Sequence, residues 1–294
     1  MTKIEITWHD AARSNRDVPV LVCYPSDIAK QDKPSPVIVF SHGLGGTRYT
    51  YQAYGEYWAS YGYVVIFPQH LGSDSGVIGH GMAKMLMGQG DLHAFLDRVK
   101  DVHFVLDQVE AINAGKVDGK EFVPLAGKLD LTRIGMSGHS FGAITTQAIV
   151  GQRYSLDADR KIADPRVKAG IAMSGSGSKD PDQDRAFGGI SIPVFYLTGT
   201  EDKTGNIGAA ERRTAFDHSK TPGTSLLTFD GANHMTFTPL QGPLHRGNEK
   251  YQSFIRQSTT AFWDANLKDD PAAKSWIRDD LAKDLGSLGV YESK

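Results

Sequence analysis

The chain has 294 residues, 40 % of them hydrophobic, enough for a sizeable core in one large α/β domain spanning 1–294. Lys and Arg total 32 against 34 Asp and Glu, a formal net charge of −2, and with no Lys/Arg-rich block a nucleic-acid partner is not expected. No run of about 18 apolar residues occurs, so no transmembrane helix is expected, and the one cysteine, Cys23, rules out an internal disulfide. Cys23 lies in an apolar stretch and reads as a buried inert thiol. The opening residues Met1 to Asp10 lack the apolar core of a signal peptide, so a cytoplasmic location is expected; a secreted or periplasmic one would need a removed leader.

In chain order, residues 3–9 and 18–24 read as two strands joined by a polar turn. Val37 to Phe40 is a continuous β-branched and aromatic run, as in a strand covered on both faces, and it leads into Ser41-His42-Gly43-Leu44-Gly45-Gly46. Tyr51, Tyr54, Tyr57 and Trp58 recur at helical spacing over 50–61 and read as core aromatics, with Gly62 ending the helix. Val64 to Phe67 is another buried strand. Residues 71–97 differ, with six glycines and Met82, Met85 and Met87 between them. They form either an excursion flanking a pocket or a plain surface loop with a short helix. A helix follows at about 95–113, with Phe95, Val99, Val102, Val105, Leu106 and Val109 on its apolar side. After a loop at 114–130, a strand ends near Met136 and a helix runs on from Ala143. Further strands are expected at 167–173, 192–197 and 225–229, with helices at 205–217 and 248–265. The tail, 269–294, reads as helical around Trp276 and Leu281. This alternation argues for a mainly parallel, eight-stranded sheet with helices on both faces.

Between the strand ending near Met136 and the helix from Ala143 stands G-x-S-x-G, as Gly138, His139, Ser140, Phe141 and Gly142. A sharp strand-to-helix turn needs small residues at 138 and 142 and leaves Ser140 exposed at the start of the helix. There the amide of Phe141 is free to donate to an oxyanion. A serine hydroxyl needs a base, and the base an orienting carboxylate. In open α/β sheets these gather beyond the carboxyl ends of the strands. Strand 192–197 is followed by Thr198-Gly199-Thr200-Glu201-Asp202, and strand 225–229 by Asp230-Gly231-Ala232-Asn233-His234. The order Ser140, Asp202, His234 is the one expected for this architecture. Asp202 is preferred to Glu201 as the shorter, stiffer carboxylate. His42 and His139 read as framework residues, and His9, His80, His93, His103, His218 and His245 as surface or packed imidazoles. The second oxyanion donor is expected from the glycine-rich loop after 37–40, at Leu44. That loop lacks the pattern of a phosphate cradle, and no histidine pair at i and i+4 marks a metal site, so no cofactor or metal is expected. Met82, Met85, Met235 and Phe237 are the candidate substrate-binding residues, a modest apolar slot.

Val-Ile-Val-Phe-Ser-His-Gly-Leu-Gly-Gly, Gly-His-Ser-Phe-Gly, Gly-Thr-Glu-Asp and Asn-His together resemble the α/β-hydrolase superfamily. More narrowly, the chain resembles the bacterial branch near platelet-activating-factor acetylhydrolases and dienelactone-hydrolase-like esterases, over about residues 3–266. The resemblance implies Ser140 as nucleophile, His234 as base, Asp202 as acid, and Leu44 and Phe141 as oxyanion amides. True dienelactone hydrolases use cysteine where this chain has Ser140, and the C-terminal cysteine pair of many secreted polyester-degrading relatives is absent. The activity expected is hydrolysis of carboxylic esters of short to medium acyl chain, small or polymeric, through an acyl-enzyme. The alternatives are a polyester or lipid-ester hydrolase, an amidase with the same residues, and a non-catalytic binding protein on the same scaffold.

Overall fold

The computed structural model describes residues 1–77, 92–117, 119–154, 162–239 and 249–294. Among them nine strands form one sheet: β1 (Thr2–Asp10), β2 (Arg16–Tyr24), β3 (Ser35–Ser41), β4 (Val64–Pro68), β5 (Leu129–His139), β6 (Val167–Met173), β7 (Val194–Glu201), β8 (Ser225–Asn233) and β9 (Gly289–Ser293). Their spatial order is β1-β2-β4-β3-β5-β6-β7-β8-β9. The run from β4 through β3, β5, β6 and β7 to β8 is parallel. β1 and β2 pair antiparallel as a hairpin, and β2 lies antiparallel to β4. The helices are α1 (Gln52–Ser60), α2 (Leu92–Asn113), α3 (Phe141–Ile149), α4 (Gln183–Phe187), α5 (Ala209–His218), α6 (Glu249–Leu267), α7 (Pro271–Asp279) and α8 (Leu281–Leu285).

Alternation along the central strands builds the core. Val37 and Val39 of β3 join Val64 and Ile66 of β4 on one face, beneath Val102, Val105 and Val109 of α2. Ile38 and Phe40 join Val65 and Phe67 on the other, beneath Trp58 of α1 and Trp263 of α6. A strand buried on both faces can afford no polar positions, which is why 37–40 and 64–67 read as unbroken apolar runs.

Topology then places the site. From β3 the chain steps outward to β4, then returns past β3 to β5. The loops leaving β3 and β5 therefore diverge at the carboxyl end of the sheet, the place where open α/β sheets gather their chemistry.

The expected eight-stranded sheet has a ninth strand, and it comes from the tail. Residues 269–294, read as one helix around Trp276 and Leu281, instead supply two short ones, α7 and α8, then turn back so that β9 pairs antiparallel with β8, Ser225 opposite Ser293 and Phe229 opposite Gly289. Without it β8 would present a row of unpaired backbone groups. The ring of Tyr291 meets Phe195 edge-on at 6.4 Å, joining this edge to the core. Of the stretch 71–97, a 3-10 turn at Ser75–Val77 and the start of α2 are described. Met82 and Met85 lie outside the described residues. Among those residues no helix is long and apolar enough to cross a membrane.

Candidate active site

β5 ends at His139 and α3 begins at Phe141, so Ser140 alone makes the turn. It does so at φ 56° and ψ −118°, a left-handed backbone that a non-glycine residue adopts only when its surroundings impose it. Here its amide donates to the carbonyl of Met173 at 2.9 Å, while its carbonyl accepts the amides of Ala143 and Ile144 at 2.9 and 3.1 Å. The flanking glycines are required by close approach: a Cβ on Gly138 would stand 2.3 Å from the Gly142 oxygen, and one on Gly142 would stand 1.9 Å from the Ser41 oxygen.

The three side chains expected to act together are in hydrogen-bond contact. Ser140 Oγ lies 2.9 Å from His234 Nε2, and His234 Nδ1 lies 2.9 Å from Asp202 Oδ1. His234 follows β8 directly, in a 3-10 turn whose first amides are capped by Asn233, with the Met235 amide 3.0 Å from Asn233 Oδ1. Asp202 follows β7 and is fully buried. Its Oδ2 accepts from the hydroxyls of Ser174 and Thr198, the latter at 3.1 Å. The Arg212 Nε on α5 stands 2.8 Å from Oδ1. Burial alone would raise the Asp202 pKa; the His234 hydrogen bond, the Arg212 charge and the Ser174 hydroxyl outweigh it and hold the group below its usual value. The carboxylate is therefore ionised at neutral pH and takes the hydrogen from Nδ1. That leaves the lone pair of Nε2 for the Ser140 hydroxyl.

Arg212 is the residue that sequence reasoning missed at this end. It is nearly fully buried and donates through Nη1 to the carbonyls of Ser174 and Gly175 at 2.7 and 2.8 Å. Its Nη2 donates to Thr204 Oγ1 at 2.8 Å and lies 3.2 Å from His234 Nδ1. With the Nδ1 hydrogen turned to Asp202, that last contact places a positive charge beside the ring and forms no second hydrogen bond. Asp202 thus faces two cationic partners when His234 is protonated.

His139, expected as framework, ties two loops together. Its Nε2 donates to the His234 carbonyl at 2.9 Å, and its Nδ1 accepts from the Tyr51 hydroxyl at 2.6 Å. Both contacts suit the neutral ring, and burial, with His234 nearby, drives its pKa well below the usual value.

Leu44 stands half-buried in the turn after β3, where the Gly45 amide donates to Ser73 O at 3.0 Å and the Gly46 amide to Gly43 O at 3.1 Å. The amides of Leu44 and Phe141 have no acceptor among the described residues. Under this turn lies a second polar array that sequence reasoning also missed. His70 Nδ1 stands 3.1 Å from Asp101 Oδ2, and its Nε2 stands 2.9 Å from Ser41 Oγ. All three are fully buried.

Of the candidate substrate-binding residues, Met235 is 44 % exposed beside His234. Phe237 departs from the expectation: it is fully buried, packed on His139 and Phe229, and belongs to the core. The 3-10 turn from His234 to Phe237 points its last side chain inward, so Phe237 supports the His234 loop from beneath and lines no open slot. Among the described residues no group of three or more His, Cys, Asp or Glu side chains is placed to hold a metal ion.

Residues 14–80 match the family model described as platelet-activating factor acetylhydrolase, isoform II. That stretch holds β2 to β4 and the Leu44 turn, and ends before Ser140. The platelet-activating factor acetylhydrolase of Canis lupus familiaris is 28 % identical over 187 residues, covering 55 % of this chain and 39 % of that protein. The chain thus spans about two fifths of the length of the curated relative it matches. The parallel sheet, the serine turn between β5 and α3 and this similarity together mark the chain as an α/β-hydrolase-fold protein that resembles the platelet-activating factor acetylhydrolases.

Proposed function

We propose that the protein is a serine hydrolase of carboxylic esters working through an acyl-enzyme. The observation that carries this reading is the unbroken hydrogen-bonded line from Ser140 through His234 to the buried Asp202, with the amides of Phe141 and of Leu44 in the turn after β3 left unpaired among the described residues. In this scheme Ser140 attacks the ester carbonyl while His234 takes its proton at Nε2. Asp202 holds the ring and offsets the charge it gains. Negative charge developing on the carbonyl oxygen meets the amides of Leu44 and Phe141, each worth on the order of 3 kcal/mol in sites of this kind. His234 then protonates the leaving alkoxide, and a water repeats the sequence to release the acid. The relative's name, an acetylhydrolase, supports an ester with a short acyl group.

The substrate class proposed is a short to medium acyl ester. The exposed Met235, next to His234 in the chain, is the apolar side chain offered for the acyl group. A long chain gains only where it is covered, at about 0.8 kcal/mol per buried methylene. Initial rates on p-nitrophenyl esters of graded chain length, with matching anilides, test the proposal. The expected result is kcat/KM highest for roughly two to eight carbons, where added methylenes still find cover, and far lower for the anilides. A steady rise through sixteen-carbon esters would overturn the chain-length assignment, and faster anilide cleavage would overturn the ester assignment.

A further inference from the structure

The oxyanion donor at Leu44 hangs on one peptide plane. The Gly43 carbonyl and the Leu44 amide belong to the same planar trans unit and point in opposite directions. Whatever grips the Gly43 oxygen therefore aims the Leu44 N–H. His42 Nδ1 stands 2.7 Å from that oxygen, and His42 Nε2 accepts the His70 amide at 3.0 Å. The ring hydrogen is thus on Nδ1 and is given to Gly43.

Behind His42 stands Arg98, fully buried on α2. Its Nη1 donates to the His42 carbonyl at 2.6 Å and to Ser41 Oγ at 3.2 Å, and its Nη2 reaches the Gly43 carbonyl at 3.5 Å. Its Nε donates to Ser73 Oγ at 2.8 Å, and Ser73 in turn accepts the Gly45 amide through its carbonyl. The guanidinium carbon lies 4.3 Å from the centroid of the Phe141 ring, the residue whose amide is the other donor. One side chain therefore touches both halves of the oxyanion site.

Stability alone does not account for Arg98. Among the described residues no carboxylate lies within ion-pair distance of it, so carbonyls, hydroxyls and an aromatic face carry the buried charge. An apolar residue of similar volume is commonly as stable or more so in such a place. The Ser41–His70–Asp101 array has the residue types of a second catalytic set, yet Ser41 is fully buried and already accepts from Arg98. Its geometry is that of a brace: Asp101 orients His70, His70 takes the Ser41 hydrogen, and the freed lone pair of Ser41 receives Arg98.

We propose that Arg98 is a positioning residue for the oxyanion site. Acting through His42 and Gly43, it orients and polarises the Gly43–Leu44 peptide, and through the ring of Phe141 it holds the second donor in register. The proposal rests on the ester-hydrolase reading above.

The test uses the full chain, with a short-chain alkyl trifluoromethyl ketone as probe, since its adduct with serine carries a tetrahedral oxyanion. In Arg98→Met the inhibition constant for the ketone rises about thirtyfold and kcat falls by the same factor, while KM moves less than about threefold. Arg98→Lys, which keeps a charged donor, recovers part of both losses. A purely structural role would lower melting temperature and active fraction without changing ketone affinity per active site. Where Arg98→Met does not fold, His42 decides: His42→Leu shows the loss of ketone affinity and kcat, and His42→Asn, which keeps a donor for Gly43 but not the acceptor for the His70 amide, recovers part of it. A folded Arg98→Met, or a His42→Leu, with wild-type ketone affinity overturns the proposal while leaving the ester reading intact. A wild-type protein that neither turns over esters nor forms the adduct overturns the ester reading itself.

Discussion

Replacing Asp202 by Asn probes the site where structure and chemistry can be separated. The carboxylate accepts from His234 Nδ1 at 2.9 Å, faces Arg212 Nε at 2.8 Å and takes the hydroxyl of Thr198 at 3.1 Å. An amide has the same shape but one acceptor edge fewer. With its NH2 toward His234, Nδ1 must accept, the ring hydrogen moves to Nε2, and Ser140 loses its base. With its NH2 toward Ser174, the tautomer survives, but the negative charge that offsets the imidazolium is gone. Either way the cost is about three to four orders of magnitude in kcat/KM, or about 4–5 kcal/mol of transition-state stabilisation. Arg212, nearly fully buried, also loses its carboxylate, at about 3 kcal/mol and so a melting point lower by about 6–12 °C. The assay is initial-rate hydrolysis of p-nitrophenyl acetate at a temperature where circular dichroism shows the variant folded. Glu201→Gln serves as the control, since Glu201 is exposed. A folded Asp202→Asn losing less than tenfold, or a Glu201→Gln losing as much, would refute the assignment.

Gly142→Ala should destabilise by several kcal/mol and abolish activity, because its Cβ would fall 1.9 Å from the Ser41 oxygen; a wild-type urea midpoint would contradict the close packing of the serine turn. Stability should fall as pH drops from about 6.5 toward 4, because burial and the Arg98 charge hold the His70 pKa at about 4 while an unfolded histidine titrates near 6.5. Over that range the unfolded chain binds the proton and the folded chain does not, which costs on the order of 3 kcal/mol for this group. His42 and His139, also pushed well below the usual range by burial, add to the same slope. Asp101, held down to about 2 by His70 and Arg16 against the effect of burial, extends the loss below pH 4. Urea midpoints from pH 8 to 4.5 measure this: His70→Gln flattens the curve, and a wild-type midpoint level across the window would contradict it.

The turn at Ser140 was legible because its constraints are local. Two glycines and a serine between an apolar run and a helical stripe admit few other conformations. Asp202 and His234 were legible because each directly follows a strand and topology brings those ends together. The two buried arginines were less visible, yet both leave a trace. Arg98 and Asp101 sit on the same stripe of α2 as Phe95, Val102 and Val105, and Arg212 shares a stripe of α5 with Ala215 and Phe216. A charge on an apolar stripe marks a partner inside the fold, but the spacing does not name the partner. β9 left no local sign: five residues with Val290 exposed become a strand only because β8 offers an edge far away in sequence. Phe237 failed for a similar reason, since its burial depends on the direction taken by the short turn after His234.

The most direct test of the account is the site of covalent modification by a fluorophosphonate. A reagent that mimics the tetrahedral intermediate reacts only where nucleophile, base and oxyanion donors converge. Peptide mapping by mass spectrometry should find one adduct, on Ser140, lost in Ser140→Ala together with ester turnover while the melting curve stays near wild type. An adduct on Ser137 or Ser174, or continued turnover in Ser140→Ala, would contradict it.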